Sequence, residues 1–483
     1  MRVLSKIVIF FVVSPASLTA LAQPNIVLIL ADDLGWNDVG YHGSEIRTPT
    51  LDALAKTGVS LQQYHAQPTC TSTRAALMTG KSPQRLGIYR QFAKYATEGL
   101  PAEEKTLADH VKNLGYQTWL VGKWHLGYAR QEFHPNSRGF DHFYGHVTGG
   151  IGYWDHVHGG GYDWQRNGQT VREDGYTTHL LASEATELIR SRDPDRPFFL
   201  YASFNAPHLP NEAPDEAIKA YSHIDDPFRR THAAMVTELD TAIGQLVNTL
   251  KSVGEFENTV IWFMSDNGGL NRFSRPESGS IEFIEGVADL FGTPLPITIL
   301  EFLRTNGLDG GSDNSPLRHG KTSVYEGGTR VPSLVHWPKG FPPHESWEFV
   351  SAQDVLPTLL AAVGTEIPSD LDGGSRLAVL LNEDAGPPRD YVTNGQLGAQ
   401  AYYQWPWKLI ANDDEVELYN LAEDPLEAND VAASNPELVD SLSQLLNDLP
   451  RAPSLHIPLY KVFWDPDFFG GVEDREPWAE LTE

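Results

Sequence analysis

The sequence of 483 residues contains one cysteine, Cys70. A single thiol cannot close a disulfide within its own chain, so burial of apolar side chains alone must hold the fold. Because the thiol has no cross-link to make, its presence calls for a chemical explanation. Cys70 is therefore the first candidate for a functional residue.

Long apolar runs are also absent. A helix needs about 18 uninterrupted apolar residues to cross a bilayer, and the N-terminal run from Ile7 to Val13 is too short. Because Arg2 and Lys6 precede this run and Ala20-Leu21-Ala22 follows it, the pattern predicts a signal peptide over residues 1–22. We expect an exported protein, periplasmic or secreted, with no membrane partner.

Positive charge is scarce. The chain has 36 lysines and arginines against 64 aspartates and glutamates, which gives a net charge of -28 at pH 7. Such a surface repels polyanions over a Debye length of about 10 Å at 0.1 M salt, so we expect no nucleic acid partner. An anionic substrate would need a local cluster of positive side chains. The acidity itself is explained by solubility or a saline habitat.

Four short apolar runs organise the first two-thirds of the chain, and each ends in polar residues. The runs and their endings are Asn25 to Ala31 with Asp32 and Asp33, Thr118 to Gly122 with Lys123 and His125, Phe198 to Phe204 with Asn205 and His208, and Thr259 to Ser265 with Asp266 and Asn267. Such runs are typical of strands buried on both faces in a parallel sheet covered by helices. The apolar periodicity predicts helices at 104–114 and 229–253.

This alternation predicts an α/β fold, whose functional sites lie beyond the carboxyl ends of the strands. The four polar endings are therefore expected to meet at one edge. The oxygen ligands expected there are Asp32, Asp33, Asp266 and Asn267. Oxygen ligands suit a hard cation such as Ca²⁺ or Mg²⁺ and not zinc. The positive groups expected there, suited to a tetrahedral oxyanion, are Arg74, Lys123, His125, His208 and Lys321.

Six motifs resemble, in sequence and in order, the motifs of the type I sulfatases of the alkaline-phosphatase superfamily, and they are closest to the arylsulfatase B type. The motifs are NIVLILADDLG (25–35), TPTLDAL (48–54), CTSTRAALMTG (70–80), GYQTWLVGKWHLG (115–127), SDNGG (265–269) and GKTSVYEGGTRVP (320–332). The resemblance implies a large, mainly parallel sheet flanked by helices, plus a small C-terminal α+β domain with an antiparallel sheet. It also implies hydrolysis of sulfate esters, with a sulfated sugar or polysaccharide as the expected substrate.

In that family the motif cysteine is oxidised to formylglycine by a maturation enzyme, and the hydrated aldehyde supplies the nucleophile. Arg74 would hold this assembly in position. Lys123 and His125 would hold the aldehyde hydrate, while His208 and Lys321 would bind the sulfate and protonate the leaving alcohol. The cation implied is Ca²⁺ rather than Mg²⁺. Its implied ligands are Asp32, Asp33, Asp266, Asn267 and the modified Cys70.

The third residue of the cysteine motif is Ser72, where the family most often has proline or alanine. Serine is small and expected to be tolerated, but the departure bears on how efficiently Cys70 matures. Two alternative functions follow: an inactive protein that binds sulfated glycans, if maturation fails, and a phosphate mono- or diesterase of the same superfamily. Every residue position that the sulfatase chemistry requires is present, which favours the enzyme.

The expected organisation is a signal peptide (1–22), a catalytic domain (23–385) and a small C-terminal domain with a tail (386–483). The C-terminal pattern predicts strands at 407–410 and 415–419 and a helix at 435–449. Residues 271–313 look like an insertion, which is interpreted as a lid, an oligomer contact or local packing. The oligomeric state is open.

The segment from His142 to Trp164 is rich in histidine, tryptophan and glycine. Its composition suits a flexible wall that stacks on sugar rings. An ordinary aromatic surface loop explains it equally well, and a zinc site lacks a cysteine partner. The residues concerned are His142, His146, Trp154, His156, His158 and Trp164.

Overall fold

The computed structural model describes residues 23–92, 96–158, 161–271, 310–395, 398–412 and 415–450. Three predicted segments lie wholly or mostly outside these ranges: the signal peptide, the 271–313 insertion and the tail after residue 450. The predicted domain boundaries stay predictions.

The catalytic part is built on strands that alternate with helices along the chain. Its strands are β1 (Asn25–Ala31), β2 (Val59–Leu61), β3 (Tyr64–His65), β4 (Gln117–Lys123), β5 (His142–His146), β6 (Val157–His158), β7 (Gly161–Tyr162), β8 (Gln165–Arg166), β9 (Gln169–Thr170), β10 (Phe198–Ser203), β11 (Thr259–Ser265), β12 (Ser333–His336), β13 (His344–Ser346) and β14 (Val350–Ser351). Ten of them form one sheet in the order β13-β2-β12-β11-β1-β10-β4-β5-β8-β9.

The four predicted strands are the centre of this sheet. Strands β11, β1, β10 and β4 are neighbours and run parallel. Every residue of β1, β10 and β11 is buried. The continuous apolar runs of the sequence are therefore strands that are covered on both faces, as is typical of parallel sheets. The predicted α/β fold with a large, mainly parallel sheet is confirmed.

Helices cover both faces of the sheet. They are α1 (Pro49–Thr57), α2 (Cys70–Thr79), α3 (Leu107–Lys112), α4 (Thr177–Ser191), α5 (Asp215–Lys219), α6 (Pro227–Ser252), α7 (Glu326–Thr329), α8 (Val355–Ala362) and α9 (Leu377–Leu380). Alternate residues of β1 point to opposite faces. Ile26 and Leu28 join one core with α2, α3 and α8, while Val27 and Ile29 join another with α1, α4 and α6.

The two predicted helices differ in how well their bounds were anticipated. The helix expected at 229–253 is α6, and its periodic residues Leu239, Ile243, Leu246 and Leu250 are buried. The helix expected at 104–114 is shorter, since α3 begins at Leu107. Thr106 caps it: the Thr106 hydroxyl accepts from Asp109 N, and the Asp109 carboxylate accepts from Thr106 N. This capping box ends the extended segment before it.

The C-terminal part is a four-stranded antiparallel sheet with one helix. Its elements are β15 (Tyr391–Asn394), β16 (Gln400–Gln404), β17 (Trp407–Asn412), β18 (Glu415–Asn420) and α10 (Pro436–Asn447). Helix α10 packs on one face through Leu442 and Leu446. The other face packs on Val324 and Phe349 of the catalytic part. Across the described ranges, no helix has the length and apolar character needed to cross a membrane.

Candidate active site

The carboxyl ends of β1 and β11 bring three carboxylates together. Ala31 and Ser265 are partners in the parallel register, so the residues that follow them are neighbours. Asp33 N donates a hydrogen bond to Asp266 Oδ1 at 3.2 Å. Asp33 has a left-handed backbone with φ 67°. The sheet register thus places Asp32, Asp33 and Asp266 in one buried cluster.

Arg74 holds this cluster from α2. Its Nε and Nη2 donate to Asp266 Oδ2 at 3.0 and 2.8 Å, and its Nη1 donates to Ser203 Oγ at 2.6 Å and to the carbonyl oxygen of Lys123 at 3.1 Å. The side chain is fully buried. Burial lowers the pKa of the guanidinium, but the surrounding acidic groups, chiefly Asp266, together raise it to a net value above its usual range. Arg74 is therefore a permanent cation that joins β4, β10 and β11.

Two lysines neutralise the other two carboxylates. Lys123 Nζ donates to Asp32 Oδ2 at 2.7 Å in a fully buried pair. Lys321 Nζ contacts Asp33 at 2.7 Å. Burial lowers the pKa of Lys321, but Asp33, Cys70 and Asp32 together raise it to a net value above its usual range. In the described part of the chain, three carboxylates are thus matched by Arg74, Lys123 and Lys321.

His208 lies on the open side of the cluster. Its Nε2 is 3.6 Å from Asp33 Oδ2, with 20% of the side chain exposed. Its Nδ1 lies 2.7 Å from the carbonyl oxygen of Leu209, which orients the ring with Nε2 toward the carboxylate. Burial lowers the pKa of His208 well below its usual value, against the opposing effect of Asp33. His208 therefore presents a nitrogen to whatever binds beside Asp33.

Cys70 is the first residue of α2, and all ten residues of this helix are buried. Its Sγ lies 3.2 Å from His125 Nδ1, while His125 Nε2 lies 3.1 Å from the carbonyl oxygen of Phe92. Burial raises the pKa of the Cys70 thiol, so the unmodified side chain is poorly suited to act as a thiolate nucleophile. The helix N-terminus instead favours negative charge that develops on this residue.

The residues fit a divalent cation. Asp32 Oδ1 and Asn267 Oδ1 are buried and have no hydrogen-bond partner among the described residues. Asn267 Nδ2 donates to Asp33 Oδ1 at 2.7 Å, which leaves its carbonyl oxygen free to act as a ligand. One ligand atom each from Asp32, Cys70 and Asp266 lies within 4.8 Å of the others. The carboxylate oxygens of the aspartates and the amide oxygen of Asn267 are the ligand type that Ca²⁺ and Mg²⁺ prefer.

The pKa of Asp32 supports the same interpretation. Burial and the nearby Asp266 carboxylate raise this pKa to about 8, although Lys123 lowers it. For Asp33 the balance is reversed: burial raises its pKa, but Lys321 and His208 lower it to a net value below the usual range. A carboxylate that is costly to ionise is one that gains from a cation, since metal binding displaces its proton.

All ten predicted site residues lie in this one assembly. The structure adds residues that the sequence analysis did not identify. Ser203, the last residue of β10, links Arg74 to β4, since its hydroxyl donates to the carbonyl oxygen of Lys123 at 2.7 Å. Thr71 Oγ1 lies 3.2 Å from His125 Nδ1 and accepts from Phe92 N. Ser203 could have been identified from the sequence, because it is a polar residue at the end of a buried apolar strand.

Several described rings of the histidine- and tryptophan-rich segment belong to the core. His146, His156 and Trp164 are buried, and His156 stacks on Trp164 with ring centroids 4.7 Å apart. His142 pairs with Glu184 at 2.8 Å. Because the rings of His146, His156 and Trp164 are buried in the core, the prediction that these three rings stack on sugars is wrong. Among the described residues of this segment, Trp154 is the large apolar side chain that stays exposed.

Comparison with known proteins identifies the family of this chain. The Sulfatase family model matches residues 24–365, and a model described as N-sulphoglucosamine sulphohydrolase, C-terminal, matches residues 318–452. Arylsulfatase J of Mus musculus is 35% identical over 367 residues, covering 73% of this chain and 55% of that protein. N-acetylgalactosamine-6-sulfatase of Homo sapiens is 32% identical over 383 residues, covering 74% of this chain and 66% of that protein.

A solved structure is similar over almost its full length. The crystal structure of Ps i-CgsB in complex with k-i-k-neocarrahexaose has a TM-score of 0.77 and 32% identity, and covers 92% of this chain and 97% of that chain. The fold is that of the alkaline-phosphatase superfamily. Within it, the chain belongs to the sulfatase family.

Proposed function

We propose that the protein hydrolyses sulfate esters of a sulfated carbohydrate, using formylglycine formed from Cys70 and a bound Ca²⁺. The observation that carries this proposal is the position of Cys70. It is buried at the start of α2, within 3.2 Å of His125 and beside a carboxylate cluster with unpartnered oxygens. A hydrated aldehyde at this position would have a base and a cation site within reach.

The overall reaction takes a sulfate ester and water to an alcohol and sulfate. When bound, a divalent cation supplies positive charge to sulfate oxygens and to the attacking hydroxyl. Asp32, Asp33, Asp266 and Asn267 would hold that cation, and Arg74 keeps Asp266 oriented toward it. Lys123 and Lys321 bring positive charge to the sulfate, in a buried setting where such charge acts strongly.

Proton transfer falls to the residues at the two sides of the site. His125 is placed to take a proton from the group at position 70, because its Nδ1 already faces that side chain at 3.2 Å. His208 and Lys321 both reach Asp33 from the open side, where the leaving alcohol would depart. Protonation of a leaving group typically speeds such a step by about 10² to 10⁴.

The proposed substrate class rests on the relatives. Ps i-CgsB was solved in complex with k-i-k-neocarrahexaose, and another relative is an N-acetylgalactosamine-6-sulfatase. We propose a sulfated sugar or polysaccharide for this chain as well. The proposal includes a formylglycine-generating maturation enzyme as a partner and export of the protein to the periplasm or medium.

The test is production with and without a maturation enzyme. Mass analysis of the tryptic peptide of residues 57–74 should show an aldehyde in place of the Cys70 thiol only when that enzyme is present. Only the converted protein should release sulfate from 4-nitrophenyl sulfate and from defined sulfated sugars, including k-i-k-neocarrahexaose. Cys70→Ala should be folded and inactive, and Ser72→Ala is the matched control, expected to convert.

Two experimental results would contradict the proposal and support an alternative function. Faster hydrolysis of 4-nitrophenyl phosphate than of the sulfate would indicate a phosphoesterase. Binding of sulfated sugars without conversion or turnover would indicate an inactive binding protein.

A further inference from the structure

We infer that Gly149 and Gly150 are positioning residues, which hold the imidazole rings of His125 and His208 in their working orientations. This inference rests on the proposed function, because it assigns the two glycines to the two histidines of that site. It concerns a loop, residues 147–151, that carries none of the site residues named above.

Each glycine packs against one histidine. A Cβ atom added at Gly149 would lie 2.8 Å from His125 Cε1 and Nε2, and the three nearest atoms all belong to that ring. A Cβ atom added at Gly150 would lie 3.0 Å from His208 Cε1 and Nδ1. Real Cβ atoms rarely approach other atoms this closely. Two neighbouring residues therefore contact the rings of two histidines that follow different strands, β4 and β10.

The register of the sheet brings the loop to the site. Lys123 and His146 are partners in the β4 and β5 pair, and the pairing continues beyond it: His125 N donates to the carbonyl oxygen of Val147 at 3.2 Å. The next residues must therefore pass beside His125. Ile151, at the end of the loop, is buried in the core.

Asp163 anchors the loop. Its fully buried carboxylate accepts hydrogen bonds from Val147 N at 3.2 Å and from Thr148 N at 2.8 Å. The Thr148 hydroxyl also donates to it, at 2.5 Å. Three donors on one buried acceptor leave the residues before Gly149 little freedom. The loop is thus a rigid support and not a mobile flap.

Tyr153, two residues beyond the loop, also holds the backbone of His208. The Tyr153 hydroxyl lies 2.9 Å from the carbonyl oxygens of both Asn205 and His208. Gly150 therefore restrains the ring of His208 while Tyr153 restrains its main chain. Both contacts arise from the four residues 150–153.

Backbone conformation does not explain why residues 149 and 150 are glycine. Neither has the positive φ found at Gly145 or at Gly168, so an alanine at 149 or 150 meets no left-handed strain. The obstacle to a methyl group is the histidine ring. Glycine at these positions is therefore a requirement of the site, and each alanine variant should move one ring while the fold stays intact.

The experiment compares Gly149→Ala and Gly150→Ala with Gly374→Ala, whose added methyl would make ordinary contacts at 3.4 to 3.6 Å from Arg389. All three should unfold within a few degrees of the parent protein. Misplacement of a reacting group by about 1 Å costs roughly 10²-fold in rate. Turnover is measured with 4-nitrophenyl sulfate, whose leaving group needs no proton, and with a sugar sulfate, whose leaving group does.

Gly150→Ala should lower kcat on the sugar sulfate by about 10- to 100-fold and change kcat on 4-nitrophenyl sulfate by less than about threefold, since His208 acts on the leaving group. Gly149→Ala should lower kcat on both substrates by similar factors, because His125 faces residue 70. Equal losses on both substrates in both variants, or no loss in either, would overturn the inference.

Crystal structures of the two variants separate this inference from the proposed function. The His125 ring should turn in Gly149→Ala and the His208 ring in Gly150→Ala, whether or not the parent protein releases sulfate. Unmoved rings in both variants would refute the positioning role. An inactive parent protein with displaced rings would refute the proposed function and keep the positioning role.

Discussion

Arg74 donates two hydrogen bonds to a single oxygen of Asp266, from Nε at 3.0 Å and from Nη2 at 2.8 Å. The other oxygen of Asp266 accepts from Asp33 N. The carboxylate is therefore held at both ends by buried donors. Such a residue offers its remaining lone pairs in one fixed direction, which is what a cation ligand needs.

Arg74→Lys should weaken cation binding. A lysine keeps the charge but loses the planar fork, so Asp266 can turn away from its present orientation. Loss of such a supporting contact typically lowers metal affinity by about 10- to 100-fold. Calorimetric titration of the protein with Ca²⁺ measures this directly. Arg85→Lys, at an exposed pair with Asp372, is the control, and equal affinities in all three proteins would contradict the prediction.

Removal of divalent cations should destabilise the fold. The unpartnered oxygens of Asp32 and Asn267 are buried, and a bound cation would satisfy both. A ligand at 100 times its Kd adds about 2.7 kcal/mol to the free energy of unfolding. The melting temperature should therefore fall with a chelator and recover with Ca²⁺, more fully than with Mg²⁺. Asp32→Asn should lose most of this response, and a chelator without effect on the parent protein would argue against the site.

Lys408→Met should destabilise the contact between the two parts of the chain. Lys408 on β17 is fully buried and pairs with Glu326 at 2.9 Å and with Glu427 at 2.6 Å. Removing it leaves two buried carboxylates without their cation, which typically costs about 3 to 5 kcal/mol. Denaturant unfolding measures the loss. Lys219→Met breaks an exposed pair and should change stability by less than about 0.5 kcal/mol.

The same cluster predicts a pH dependence of stability. Burial raises the pKa of Glu427 to about 7, with Glu326 adding to the rise and Lys408 opposing it. The unfolded chain ionises Glu427 near its ordinary value, so this group favours the folded state at low pH and loses that effect as the pH rises through about 7. Glu427→Gln should therefore flatten the fall in unfolding free energy between about pH 4.5 and 7. Parallel curves for the two proteins would contradict this.

The sequence predicted the centre of the sheet because buried parallel strands are continuous apolar runs, as in β1 and β11. It did not predict β2, β12 and β13, which have three or four residues each, too few to show a period. The same apolar runs located the site residues that follow the strands, because the end of each run marks the carboxyl end of a strand. The pairing of Lys123 with Asp32 and of Lys321 with Asp33 depends on distances across the sheet, which no local pattern encodes. Asp163 was missed for the same reason, since its partners lie 15 and 16 residues away.

Asp33 is restricted by its backbone as well as by its charge. Consecutive residues of an extended strand point to opposite faces, but the φ of 67° at Asp33 turns its carboxylate into the same cavity as that of Asp32. Aspartate, asparagine and glycine are the residues that accept this conformation at low cost. Two substitutions at position 33 can therefore separate the effect of the charge from the effect of the backbone turn, which an alanine substitution cannot do. Asparagine there removes the charge alone, and glycine removes the side chain while the turn persists.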